Sequence, residues 1–152
     1  MQRGFERLVV PVAGSQTDTR VLDMLPDLFR KDGGAVTFLY VVEVPQAMPL
    51  DAELPVEIED GERALRHAEN VARKTLPERS THIVTELLQA RAIGPAIVDE
   101  AIERGADAIV MTASIHRKHG RDSLGDTTNY VLLNAPCEVV VIRTAPEEPD
   151  QR

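Results

Sequence analysis

Leu8-Val9-Val10-Pro11-Val12-Ala13-Gly14-Ser15 is the stretch whose reading decides the fold. An uninterrupted apolar run suits a short strand covered on both faces, and Ala13-Gly14-Ser15 is the punctuation of a strand turning into a helix. The chain then behaves accordingly. From about Asp18 to Arg30, Val21, Leu22, Leu25, Leu28 and Phe29 recur at helical spacing until Asp32-Gly33-Gly34 stops the pattern, and Pro26 inside it predicts a kink. Ala35 to Val42, nearly all apolar and rich in β-branched residues, predicts a second strand buried on both faces.

The alternation continues to the end. Ala64, Leu65, Ala68, Val71, Ala72 and Thr75 mark one face of a second helix closed by Pro77, and Ile83 to Leu88 predicts a third strand. Ala96 to Arg104 predicts a third helix, with Pro95 in its first turn and Gly105 as its cap. Ala106 to Thr112 is a fourth strand, about Asp126 to Leu133 a fourth helix ended by Asn134-Ala135-Pro136, and Cys137 to Arg143 a fifth strand. Right-handed crossovers then require an α/β architecture, a five-stranded parallel sheet with helices on both faces. A ligand crevice in such a sheet opens beyond the strand C-termini where strand order reverses, which draws attention to Pro11 to Ser15 and to Thr112 onward.

Composition narrows the function classes. With 152 residues, 43% apolar and 28% charged, the chain is expected to form one soluble domain over 1–144 with a disordered tail over 145–152. Seventeen Lys and Arg against twenty-five Asp and Glu give a charge of −8, which repels phosphodiester backbones and anionic headgroups. The aromatics Phe5, Phe29, Phe38, Tyr40 and Tyr130 are too few for a base-stacking platform, so no nucleic-acid partner is expected. The lone Cys137 excludes an internal disulfide and reads as a small core residue. With no signal-like leader and no long apolar run, a cytoplasmic protein without membrane insertion is expected.

Two segments carry unusual charge. Glu43 to Asp60 holds Pro45, Pro49 and Pro55, six acids and no base, and is expected to be a long exposed loop, either a solvated connection or a lid. Ala113 to Leu124 is a polar, basic loop in which His116, Arg117, Lys118, His119 and Arg121 reverse the sign of the chain's charge and would attract an anion such as phosphate. His116 and His119 would share a face on a helix, a spacing used by some metal sites, but no third ligand lies nearby, and His67 and His82 read as surface residues. Asp18, Asp107 and Ser114 lack the spacing of a hydrolytic triad, and neither G-x-G-x-x-G nor G-x-x-x-x-G-K-[ST] occurs.

Leu8 to Ser15, Thr37 to Glu43, Gly94 to Ala101, Gly105 to Met111 and Ala135 to Arg143, in that order, resemble a universal stress protein domain over about residues 5 to 143. The resemblance implies an adenine nucleotide alpha hydrolase-like, Rossmann-like fold with strand order 3-2-1-4-5, and a homodimer through the last strand, here Val139 to Ile142. Nucleotide-binding members carry an Asp after the first strand and a G-x-x-G-x9-G-[ST] loop after the fourth. In this chain the Asp position is Ala13, the leading glycines fall on Thr112 and Ile115, and Gly125 is followed by Asp126 and then Thr127. The spacing is kept and the residue types are not. A β-branched residue forced into left-handed geometry costs ~1–2 kcal/mol, so the loop is expected to take another path.

The resemblance leaves an adenine pocket of main-chain groups near Val41 and a wall of Pro11 and Val12. Arg117, Lys118 and Arg121 would replace the glycine cradle by neutralising phosphates. No cofactor is fixed by these residues; ATP or AMP, or another small anion, is the ligand class implied. The reading is a non-catalytic regulator with a modified nucleotide site. The alternative is an ATP-independent dimeric module docking on a transporter or signalling partner. An ATP hydrolase ranks last, because no water-activating base or metal site is legible.

Overall fold

The computed structural model describes residues 4–145, and in it the opening apolar run becomes β1 (Arg7–Pro11). After it come α1 (Thr17–Leu28), β2 (Gly34–Glu43), α2 (Pro55–Thr75), β3 (Thr81–Ala90), α3 (Ile93–Arg104) and β4 (Ala108–Ala113). A small hairpin of β5 (His116–Lys118) and β6 (Arg121–Ser123) precedes α4 (Asp126–Asn134) and β7 (Glu138–Arg143). The five longer strands form one parallel sheet in the order β3-β2-β1-β4-β7, the expected order with the hairpin interposed before the last strand.

Because side chains alternate across a strand, the central strands feed two cores. Leu8, Val10, Val36 and Phe38 pack with Val21, Leu22 and Leu25 of α1 and Ala64, Leu65 and Ala68 of α2. Val9, Leu39, Ile109 and Met111 pack on the other face with Ile97, Val98 and Ala101 of α3 and Val131 of α4. The α2 helix lies close to the sheet at Gly61, where a Cβ would come within 2.5 Å of Tyr40 Cδ1 and 2.8 Å of Leu87 Cδ1. Pro26 falls in the last turn of α1, which still closes through Phe29 N–H donating to the Leu25 carbonyl.

The connection after β2 is shorter than expected. Pro55 opens α2, so Glu57, Glu59 and Asp60 belong to its first turns and not to a loop. Proline is well suited to a first helical position and acids to a helix N-terminus, so the features that suggested a loop are here those of a helix start. Residues 44–54 are tied to the end of β3. The Arg91 guanidinium donates to the carbonyls of Pro45 (2.6 Å) and Met48 (2.7 Å), and the Gln89 amide donates to those of Leu50 (3.1 Å) and Ala52 (3.0 Å).

The basic segment after β4 also departs from expectation. It is an antiparallel hairpin pairing His116 with Ser123, Arg117 with Asp122 and Lys118 with Arg121. Its turn is His119-Gly120, with φ of 53° and 72°, the paired positive values of a hairpin turn whose twist matches its strands. The helical face that would align His116 with His119 therefore does not form.

Candidate functional site

A crevice opens where the two central strands part. β1 pairs with β2 along its length, from Arg7 opposite Ala35 to Pro11 opposite Leu39, but it pairs with β4 only at Leu8 and Val9. The reason is local. Val12 N–H donates to the Leu39 carbonyl at 2.9 Å. Donors alternate between neighbours along a strand, so the residue before it faces β4, and Pro11 has no N–H to donate there. Beyond Val9 the gap becomes a cavity of about 280 Å³. Pro11, Val12 and Ala13 form one wall, Leu39, Tyr40 and Val41 a second, and Met111 and Thr112 a third, with Ile93, Ile97 and Thr127 contributed by α3 and α4.

The cavity's charge is a single acid. Asp18, in the first turn of α1, is 7% exposed, and its two carboxylate oxygens accept the N–H groups of Ala13 (2.9 Å) and Gly14 (2.8 Å). The other buried acid, Glu100, is answered by Arg104 at 2.8 Å. Among the described residues no basic side chain pairs with Asp18, which is held by backbone alone. Beside it, burial and then the negative charges of Asp60, Asp18 and Glu57 push the Tyr40 phenol above its ordinary pKa, so it stays a neutral hydrogen-bonding group at physiological pH.

Of the residues singled out in the sequence, Pro11, Val12, Ala13, Val41, Thr112 and Thr127 line this cavity. Thr112 remains inside β4, opposite Ile142, and His119 is the one non-glycine with positive φ among the described residues. Thr112 and Ile115 therefore avoid left-handed geometry, and the chain continues as strand and then hairpin. Ile115 is half exposed and lines a separate opening with Thr17, Arg20 and Ser114. Gly125, with φ of 89°, and Asp126 begin α4. Arg117 and Arg121 stand exposed on the hairpin, outside the lining of the cavity, with Arg117 3.9 Å from Asp122. The side chain of Lys118 lies outside the described residues, as does the tail beyond Ala145.

Asp107 is at the opposite end of the sheet, where it accepts the N–H groups of Glu6 and Arg7 at 2.9 Å each, so it belongs with neither Asp18 nor Ser114. The sequence reading missed Asp18, Leu39, Tyr40, Ile93, Ile97 and Met111 as cavity residues. The acid had a signal: an Asp in the first turn after Gly14-Ser15 is placed to fold back onto the turn's amides.

The sequence matches the universal stress protein family over residues 4–143. The chain belongs to that family. It is 27% identical over 150 residues to a universal stress protein of Methanocaldococcus jannaschii, covering 95% of this chain and 85% of that protein. Among solved structures, the Archaeoglobus fulgidus universal stress protein in complex with dAMP is similar with a TM-score of 0.67 and 22% identity, over 91% of this chain and 98% of that one. An Arabidopsis thaliana member of the family with AMP bound has a TM-score of 0.61 and 14% identity, over 95% and 96% of the two chains. At these identities the likeness is one of fold, and it agrees with the Rossmann-like α/β sheet described above.

Proposed function

We propose that this universal stress protein family member is a non-catalytic cytoplasmic regulator that takes an adenine compound in the crevice between β1 and β4. The observation that carries this reading is the cavity of about 280 Å³ at the point where strand order reverses, with apolar walls and a few polar groups converging on it. Related folds with dAMP and AMP bound lend support. The base would lie between Val12, Leu39 and Met111, near the main chain of Val41. Heating the purified protein and reading released absorbance at 260 nm, together with thermal unfolding in the presence of adenosine and AMP, tests the reading. A ligand that binds only the native state must raise its melting temperature, and no shift with any adenine compound would refute the site.

A second reading, an ATP-independent dimeric module that docks on a transporter or signalling partner, is favoured by a different region. The edge strand β7 keeps Val139 to Ile142 partly exposed, and α4, which precedes it in the chain, presents Leu132 (50% exposed) and Leu133 (75% exposed). Sedimentation of Val141→Glu tests the homodimer: dissociation is expected, and an unaltered dimer would contradict this edge as the interface.

A further inference from the structure

Resting on the reading of the crevice as an adenine site, we propose that it selects the unphosphorylated nucleoside over its phosphates, and that Asp18 sets this preference. Proteins hold phosphate with free amides at helix N-termini, with glycine cradles, or with Arg and Lys. Here the amides of the turn into α1 are taken, and no Arg or Lys lines the cavity. The amides of Ala13 and Gly14, which the turn into α1 would offer an anion, donate to the Asp18 carboxylate at 2.9 and 2.8 Å. At α4, the Gly125 N–H donates to Ser123 Oγ at 3.3 Å, and Asp126 places another acid in the first turn. At α3, Pro95 removes a donor from the first turn.

The cations nearby lie outside the cavity. No Lys, Arg or His lines the cavity, so the one formal charge a ligand meets there is negative. The adjoining recess, which shares Ala13, Asp18 and Tyr40 with the cavity, is lined by His67 and by Arg63, the latter paired with Asp60 at 3.3 Å and Glu59 at 3.6 Å. What the cavity does provide suits a base and a sugar. Val12, Leu39, Ile97 and Met111 give an apolar slot. Each Asp18 oxygen has accepted one N–H and can accept another hydrogen bond, while the hydroxyls of Thr112, Thr127 and Tyr40 can donate or accept. Sugar hydroxyls bring protons to that carboxylate; ionised phosphate oxygens bring a like charge.

Titration calorimetry of the full chain with adenosine, AMP, ADP and ATP, without added magnesium, tests the proposal. Adenosine is expected to bind about tenfold tighter than ATP, with AMP and ADP between, and the ratio is expected to shrink as salt screens the repulsion. Asp18→Asn, which keeps the shape and removes the charge, is expected to bring the ratio within about threefold. Because that change also disturbs the turn, the exposed Asp126→Asn serves as a second variant, expected to tighten ATP about twofold and leave adenosine unchanged. ATP binding as tightly as adenosine, AMP binding where adenosine does not, or a folded Asp18→Asn with an unaltered ratio would each overturn the selectivity and leave the adenine site standing. Failure of all four compounds to bind a cooperatively folding protein would remove the adenine site and this inference with it.

Discussion

The crevice between β1 and β4 is buried and apolar and holds one acid, whereas the β5–β6 hairpin that follows β4 is exposed and polar and carries Arg117, Arg121 and two histidines. Counted as charges along the chain, the hairpin dominates. Weighed by environment, the order reverses. Arg117 and Asp122 are 77% and 70% exposed and 3.9 Å apart, the kind of pair that contributes about 0–1 kcal/mol. Asp18 is nearly buried and accepts two amide hydrogen bonds, each worth about 1.5–3 kcal/mol when the acceptor is charged. A buried group therefore shapes the turn, and in the proposal above the ligand preference as well, while the hairpin's arginines stand exposed.

That contrast is broken most directly at Asp18. Replacing it with Ala leaves the amides of Ala13 and Gly14 without their acceptor, and a stability loss of about 3 kcal/mol or more is expected in urea unfolding. A loss below about 1 kcal/mol would show that water takes over both bonds and that the turn does not depend on the carboxylate. Next in size is Met111→Ala. Met111 is 5% exposed and lines both the second core and the cavity, so a loss of about 2 kcal/mol is expected, with a smaller rise in melting temperature on adding adenosine. An unchanged adenosine response would place the ligand away from this wall.

How much of this was legible in the sequence follows from the same contrast. Leu8 to Val12 and Ala35 to Val42 read as strands because burial on both faces leaves an apolar run that nothing else explains. Strand order came with the family resemblance, since periodicity carries no information about neighbours. The first turns of α2 were hidden because Pro55 and the acids after it are common to loops and to helix starts. The hairpin was hidden because 116–123 is polar on both faces, so no apolar alternation marks its strands, and its turn uses His119-Gly120 where Asn-Gly or Asp-Gly would have announced it. Asp18 was hidden for a different reason. A carboxylate is sought directly after β1, where Ala13 stands, yet the first turn of α1 returns one to the same amides from five residues further on.

The smallest expected effects lie on the hairpin. Gly120 has φ of 72° with nothing within 4 Å of a Cβ, so Gly120→Ala meets no steric neighbour and carries only the left-handed penalty, about 1 kcal/mol, borne by the hairpin. Hydrogen exchange should show faster opening of 116–123 with the main sheet unaltered. Arg117→Ala combined with Arg121→Ala should change global stability by no more than about 0.5 kcal/mol, because both side chains are exposed. The same double variant discriminates between two ways of meeting a phosphate. If the arginines reach a ligand's phosphates in solution, ATP affinity falls in the variant and falls most at low salt; if the crevice alone determines binding, ATP and adenosine affinities each stay within about twofold of the unsubstituted protein at every salt concentration. The second result is expected, since the hairpin's pairing from His116 to Ser123 holds both arginines on a strand ladder outside the cavity's lining, and bringing either one over the crevice would require that ladder to open or tilt as a unit.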